Sequence, residues 1–130
     1  MIAVDTNVLA RLVLMDHAEQ SAVAATMLAE PVWVATSVWL ELGWVLHTRL
    51  RLDRDVVADA IRTLLDMQTV NTTDRDGLIW AVERYRGGAD WADMVHLVSV
   101  RTMANRFATF DQQLQREAGA AAPLPIETLA

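Results

Sequence analysis

The sequence contains no cysteine, and its 11 basic residues are all arginine, so lysine is absent as well. Without cysteine there is no disulfide framework, thiolate zinc site, thiol nucleophile or iron–sulfur cluster. Without lysine there is no GK[ST] phosphate loop, no Schiff base and no lysine general base. Acids outnumber bases by 17 to 11, for a net charge of −6. That balance argues against a nucleic-acid binder held by a basic surface alone. Long hydrophobic runs are missing too. The longest apolar stretch, Val32 to Leu46, is broken by Thr36, Ser37 and Glu41, which makes it too short and too polar to cross a bilayer.

What remains is 130 residues, 53% of them apolar, which is enough for a single core. One domain spanning residues 1–130 is expected, with no second one. The opening residues read as a core strand rather than a cleavable leader, so a cytoplasmic protein is expected. Met1-Ile-Ala-Val4 is a short apolar run delivered into Asp5-Thr-Asn7, a strand followed by a helix N-terminus. A second helix with Val23, Met27 and Leu28 on its apolar side stops at Pro31. Val32-Trp33-Val34 forms the next strand, and Thr36-Ser37 opens a helix from about Val38 to Leu50 that is apolar almost all round. Asp53 begins a fourth helix, Gln68-Thr-Val70 is a weak strand, and Thr73-Asp74 caps a fifth helix ending at Gly87-Gly88. Asp90 to Asp93 lead a sixth. Arg106 to Thr109 is a strand, Phe110-Asp111 starts a last helix, and Pro123 to Ile126 adds an edge strand. Strands alternating with helices predict a three-layer α/β/α sandwich around a parallel sheet of four to five short strands.

Five carboxylates stand out. Asp5 and Asp111 directly follow strands, where ligands bind in open parallel sheets, although Asp is also a preferred helix cap. Glu41 is the only ionisable residue between Pro31 and His47. Buried in that helix it would need a partner or a metal; alternatively, it lies on the helix's one wet stripe. Asp90 and Asp93 are three apart, on one face of a helix start, where the macrodipole favours them even as plain caps. If the sheet is parallel, Asp5, Glu41, Asp93 and Asp111 converge at its C-terminal edge. Such a cluster calls for a divalent cation, and oxygen-only ligands suit Mg²⁺ or Mn²⁺. Removing these five unit charges from −6 leaves −1, so nearly all the acidic excess belongs to this set.

Val4-Asp-Thr-Asn-Val-Leu9, Glu41-Leu-Gly-Trp-Val-Leu46, Asp90-Trp-Ala-Asp93 and Ala108-Thr-Phe-Asp111 resemble, in order, the acidic motifs of PIN-domain ribonucleases. The short chain and its opening motif are most similar to VapC toxins of type II toxin–antitoxin systems. The resemblance implies a PIN-like fold in which Asp5, Glu41 and Asp93 match the acidic triad and Asp111 the fourth acid. Asp90 is an additional acid one turn before the third. Thr6, Asn7, Ser37 and Thr109 match supporting polar positions, and His96 falls where the family is apolar, which places it in packing or behind the site. The implied activity is Mg²⁺-dependent endonucleolytic hydrolysis of RNA, leaving 5′-phosphate and 3′-hydroxyl ends and requiring no histidine.

RNA also needs cationic contacts, for which Arg49, Arg51, Arg84 and Arg86 are the candidates at helix ends. Five tryptophans in 130 residues suggest more apolar surface than one small domain buries, and the helices around Val38 to Leu50 and Val56 to Leu65 are expected to carry a homodimer or antitoxin surface. The resemblance further implies a cognate VapB-type antitoxin, through which alone operator DNA would be bound. The rival reading is a catalytically silent PIN-like module that binds RNA or antitoxin. A receiver domain is set aside for want of a lysine, and an aspartyl phosphatase for want of a second carboxylate in Asp5-Thr-Asn7.

Overall fold

The computed structural model describes all 130 residues. Strand β1 (Ile2–Ala3) leads into α1 (Thr6–Leu14) and α2 (Ala18–Leu28), and β2 (Val32–Trp33) leads into α3 (Thr36–Trp44). A π-helical turn, Val45–Arg49, continues α3 and is followed by α4 (Arg54–Asp66) and β3 (Val70–Asn71). Helices α5 (Arg75–Arg86) and α6 (Trp91–Val100) precede β4 (Phe107–Thr109), α7 (Leu114–Ala118) and β5 (Ile126–Thr128). All strand pairings are parallel, as helical crossovers require, and the architecture is the α/β/α sandwich expected. No helix is long and apolar enough to cross a membrane.

The sheet differs from the expectation in one respect. Its five strands form two ladders, β1-β2-β3 and β4-β5, rather than one continuous sheet. Strand β1 therefore has a hydrogen-bonded neighbour on one side only. Met1, Ile2 and Ala3 are exposed and only Val4 is buried, so the opening run is not the buried strand its composition suggested. The last helix also starts later than expected. Asp111 does not cap it; its side chain accepts from the Gln113 N–H in a local turn, and α7 begins at Leu114.

A core of 28 buried residues fills the space between the layers. Trp39 is fully enclosed and its indole N–H donates to the Thr72 hydroxyl. Trp91 donates to the Trp39 carbonyl at 3.0 Å, fixing the start of α6 on α3. This close approach depends on Gly43, because a Cβ there would overlap the Trp91 indole. Arg54, the first residue of α4, donates to the carbonyls of Tyr85 and Ala89, both at 2.8 Å. It thereby ties the start of α4 to the last turn of α5 and to the loop that follows it.

Arg84 ties the C-terminal unit to the rest. Its Nε donates to the Glu117 carbonyl at 2.8 Å, and its guanidinium lies against Gly119, whose φ of 79° suits glycine. Arg84→Ala is expected to cost about 1–2 kcal/mol, since a charged donor is lost to a backbone acceptor. Hydrogen exchange should rise selectively across 114–128; uniform protection would show that the contact is not what holds this unit.

Candidate functional site

Three of the five singled-out carboxylates, Asp5, Asp90 and Asp111, have a local role. Asp5 caps α1 by accepting from the Val8 N–H at 3.3 Å. Asp90 caps α6 by accepting from the Asp93 N–H at 3.0 Å. The Thr109 hydroxyl accepts the Asp111 N–H at 3.0 Å, which sets the turn that presents Asp111 after β4. These bonds use backbone donors and leave the carboxylates' charge uncompensated. None of the eight ion pairs involves Asp5, Glu41, Asp90, Asp93 or Asp111. Asp74, which also follows a strand, is different: Arg101 pairs with it at 2.6 Å.

Asp93 is partly buried in the first turn of α6. Burial pushes its carboxyl above the usual aspartate range, and the charges of Asp90, then Asp111, push it further. His96 acts in the opposite direction, and Glu117 from α7 adds a smaller rise. Asp90, Asp93 and Asp111 are thus one electrostatic group, joined by Glu117, which the sequence reading did not select. Asp5 and Glu41 are not among the charges that act on Asp93.

Glu41 corrects an expectation. It is exposed, not buried, so no desolvation argument forces a partner on it. With Ser37, Trp44 and Thr48 it forms the single solvent-facing stripe of α3 and its π-turn. Glu41 and Asp90 line the same cavity, about 550 Å³ in volume, so Asp90 stands between the Glu41 side and the Asp93 group. Thr6 is buried while Asn7 and Ser37 are exposed. His96 is exposed as well, on the face of α6 one turn from Asp93, so of the two places expected for it core packing is excluded, and its charge acts on Asp93.

The arginines divide. Arg84 is engaged with the C-terminal unit. Arg86 pairs with Asp59 at 2.7 Å and with Glu83 at 3.2 Å, and these bonds, Asp59's first, hold its guanidinium more firmly protonated. Both are thus held by partners within the chain, unlike the two arginines before α4. Arg49 and Arg51 are exposed beside the cavity-lining Thr48, and the left-handed φ of 57° at Arg51 turns the chain into α4. Three cavity residues, His47, Arg54 and Tyr85, were not singled out from the sequence as site residues. Tyr85 is the chain's one tyrosine, and the 37-41-44-48 helical spacing was the signal that could have found this face.

A hard divalent ion fits the donor chemistry of this region: carboxylates without cationic partners, one of them disfavoured in its charged form. No three of the acidic or histidine side chains lie close enough to close a cage by themselves, so an ion would have to draw its ligands together.

The model of the family described as PIN domain matches residues 2–120. No curated protein and no solved structure matches the chain. PIN domains are typically metal-dependent nucleases, and they generally use divalent metals.

Proposed function

The chain belongs to the PIN-domain family, and from that premise we propose that it is a Mg²⁺-dependent endoribonuclease, the VapC-type toxin of a type II toxin–antitoxin pair. The observation that carries the reading is the group of Asp90, Asp93 and Asp111, which has no arginine partner and in which each neighbour raises the cost of ionising Asp93. In this reading Asp93, Asp111, Asp5 and Glu41 hold the metal, with Asp90 beside them. When bound, the ion polarises the scissile phosphate and lowers the pKa of an attacking water. Thr109 positions Asp111 through its backbone N–H. Arg49 and Arg51 take the flanking phosphates, and the unneutralised acids repel the RNA strand whenever no cation is held. The products carry 5′-phosphate and 3′-hydroxyl ends.

A VapB-type antitoxin is part of the proposal, as is a homodimer, and operator DNA would be bound through the antitoxin. Leu50 and Val56, exposed just after the π-turn and on α4, support an apolar partner on that side. The expected test result is discrete cleavage of total cellular RNA by antitoxin-free protein in Mg²⁺ or Mn²⁺, abolished by chelator. One observation favours a second reading, a silent RNA- or antitoxin-binding module: the carboxylates do not close into a three-ligand group. Folded protein that neither binds Mg²⁺ in calorimetry nor cuts RNA would establish that module and end the nuclease proposal.

A further inference from the structure

The cavity lined by Glu41 and Asp90 has features that phosphodiester hydrolysis does not use. Its outer residues are the exposed ones, Glu41, Trp44 and Asp90, and its floor is aromatic. Tyr85 and Trp91 are buried there, meeting edge to face with ring centroids 5.9 Å apart, and His47 meets Tyr85 in the same way at 5.6 Å. Tyr85 is only 2% exposed, yet its hydroxyl finds no hydrogen-bond partner in the protein, and neither does Nδ1 of His47. Two buried polar atoms left unpaired on one wall are costly, and native interiors rarely hold them without use. His47 owes its position to the π-helical turn Val45–Arg49, an irregularity that occurs often at functional sites.

Resting on the nuclease reading above, we propose that this cavity receives one unstacked nucleobase of the RNA strand, next to the phosphate attacked at the carboxylates. Trp44, more than half exposed at the rim, is the stacking face; the Tyr85 hydroxyl and the His47 imidazole read the edge of the base. A phenol and an imidazole both donate and accept, as base edges do. A cavity of this size suits a nucleoside, and aromatic stacking is how proteins hold bases of single-stranded RNA. A cationic side chain fits less well. Arg54 shares the lining, 4.5 Å above the Tyr85 ring centroid, and already occupies that face with positive charge. Asp90, common to the cavity and the Asp93 group, sets the base beside the reacting phosphate.

The five tryptophans give five indole N–H signals, which makes the test direct. Nucleosides, which carry no phosphate for the unneutralised acids to repel, titrated into the full chain in chelator, should shift the Trp44 and Trp91 indole resonances and leave Trp33 and Trp80 in place. Tyr85→Phe should weaken that binding about five- to tenfold, the worth of one hydrogen bond. It removes only an unpaired hydroxyl, so its thermal midpoint should hold or rise. Silent Trp44 and Trp91 signals, or unchanged affinity in both Tyr85→Phe and His47→Ala, would overturn the assignment. Shifts produced by N-acetyl-arginine amide and not by nucleosides would overturn it in favour of a protein cation. RNA cleavage in Mg²⁺, measured on the same preparation, separates the two readings. Cleavage with silent indoles sinks the base site alone, whereas indole shifts without cleavage sink the nuclease and leave the base site standing.

Discussion

Asp93→Asn is expected to abolish Mg²⁺-dependent RNA cleavage, by about a thousandfold, while making the folded chain more stable at neutral pH. The two effects have one cause. Burial and the charges of Asp90, Asp111 and Glu117 raise the Asp93 pKa, with only His96 acting against them. A carboxyl whose folded pKa lies above its unfolded value contributes stability below the unfolded pKa and loses it as pH rises through the folded one. At neutral pH the ionised Asp93 is therefore a net cost, which asparagine removes. Because the carboxyl is partly open to solvent, the gain is modest, and it is read as a rise in Tm at pH 7. It should vanish in acid, where aspartate and asparagine are both neutral and the two melting curves converge. Mg²⁺ should raise the Tm of the parent by binding its folded state and leave the variant unmoved. A variant that melts at or below the parent at pH 7 would show that Asp93 is already neutralised. One that still cuts RNA would remove Asp93 from the machinery.

The second large effect concerns how the acidic helix is held. Trp91→Ala is expected to cost about 3–5 kcal/mol, a large share of the roughly 5–15 kcal/mol that stabilises a domain. The change empties a buried indole site and leaves the Trp39 carbonyl without its donor. Gly43→Ala is expected to cost about 2–3 kcal/mol from the opposite direction, by driving a methyl group into that indole. Because both act at one contact, they should not add: Gly43→Ala with Trp91→Ala should lose less than the sum of the single changes. Urea unfolding midpoints measure all four proteins. Strict additivity would mean that α3 and α6 are not held by this pair, and that Asp90 and Asp93 owe their position to something else.

How far the site was readable differs from residue to residue. Asp5, Asp90 and Asp111 announce themselves because an acid after a strand or at a helix start is a local pattern, and all three do accept backbone N–H donors nearby. The apolar helix around Glu41 leaves two placements open, buried or on a wet stripe; that stripe is decided by what packs on the other faces, and there Glu41 lies exposed. Arg84 and Arg86 looked like free cations at a helix end. Their partners are the Glu117 carbonyl, 33 positions away, and Asp59, 27 positions away, which no local window contains.

By itself the sequence determined the alternation of strands and helices, the helix starts at Asp5, Asp74 and Asp90, and an oxygen-rich chemistry free of thiols and lysine. Those follow from backbone capping, hydrophobic period and composition, all of which act within a few residues. Only the tertiary structure decided that Asp90, Asp93 and Asp111 share one electrostatic field, joined by Glu117. It alone decided that β4 pairs with β5 and not with β1, and that Tyr85 and His47 meet in the cavity that Trp44 also lines. Charge repulsion, strand pairing and aromatic packing are set by distances in space, and the crossovers bring together residues that the chain keeps tens of positions apart.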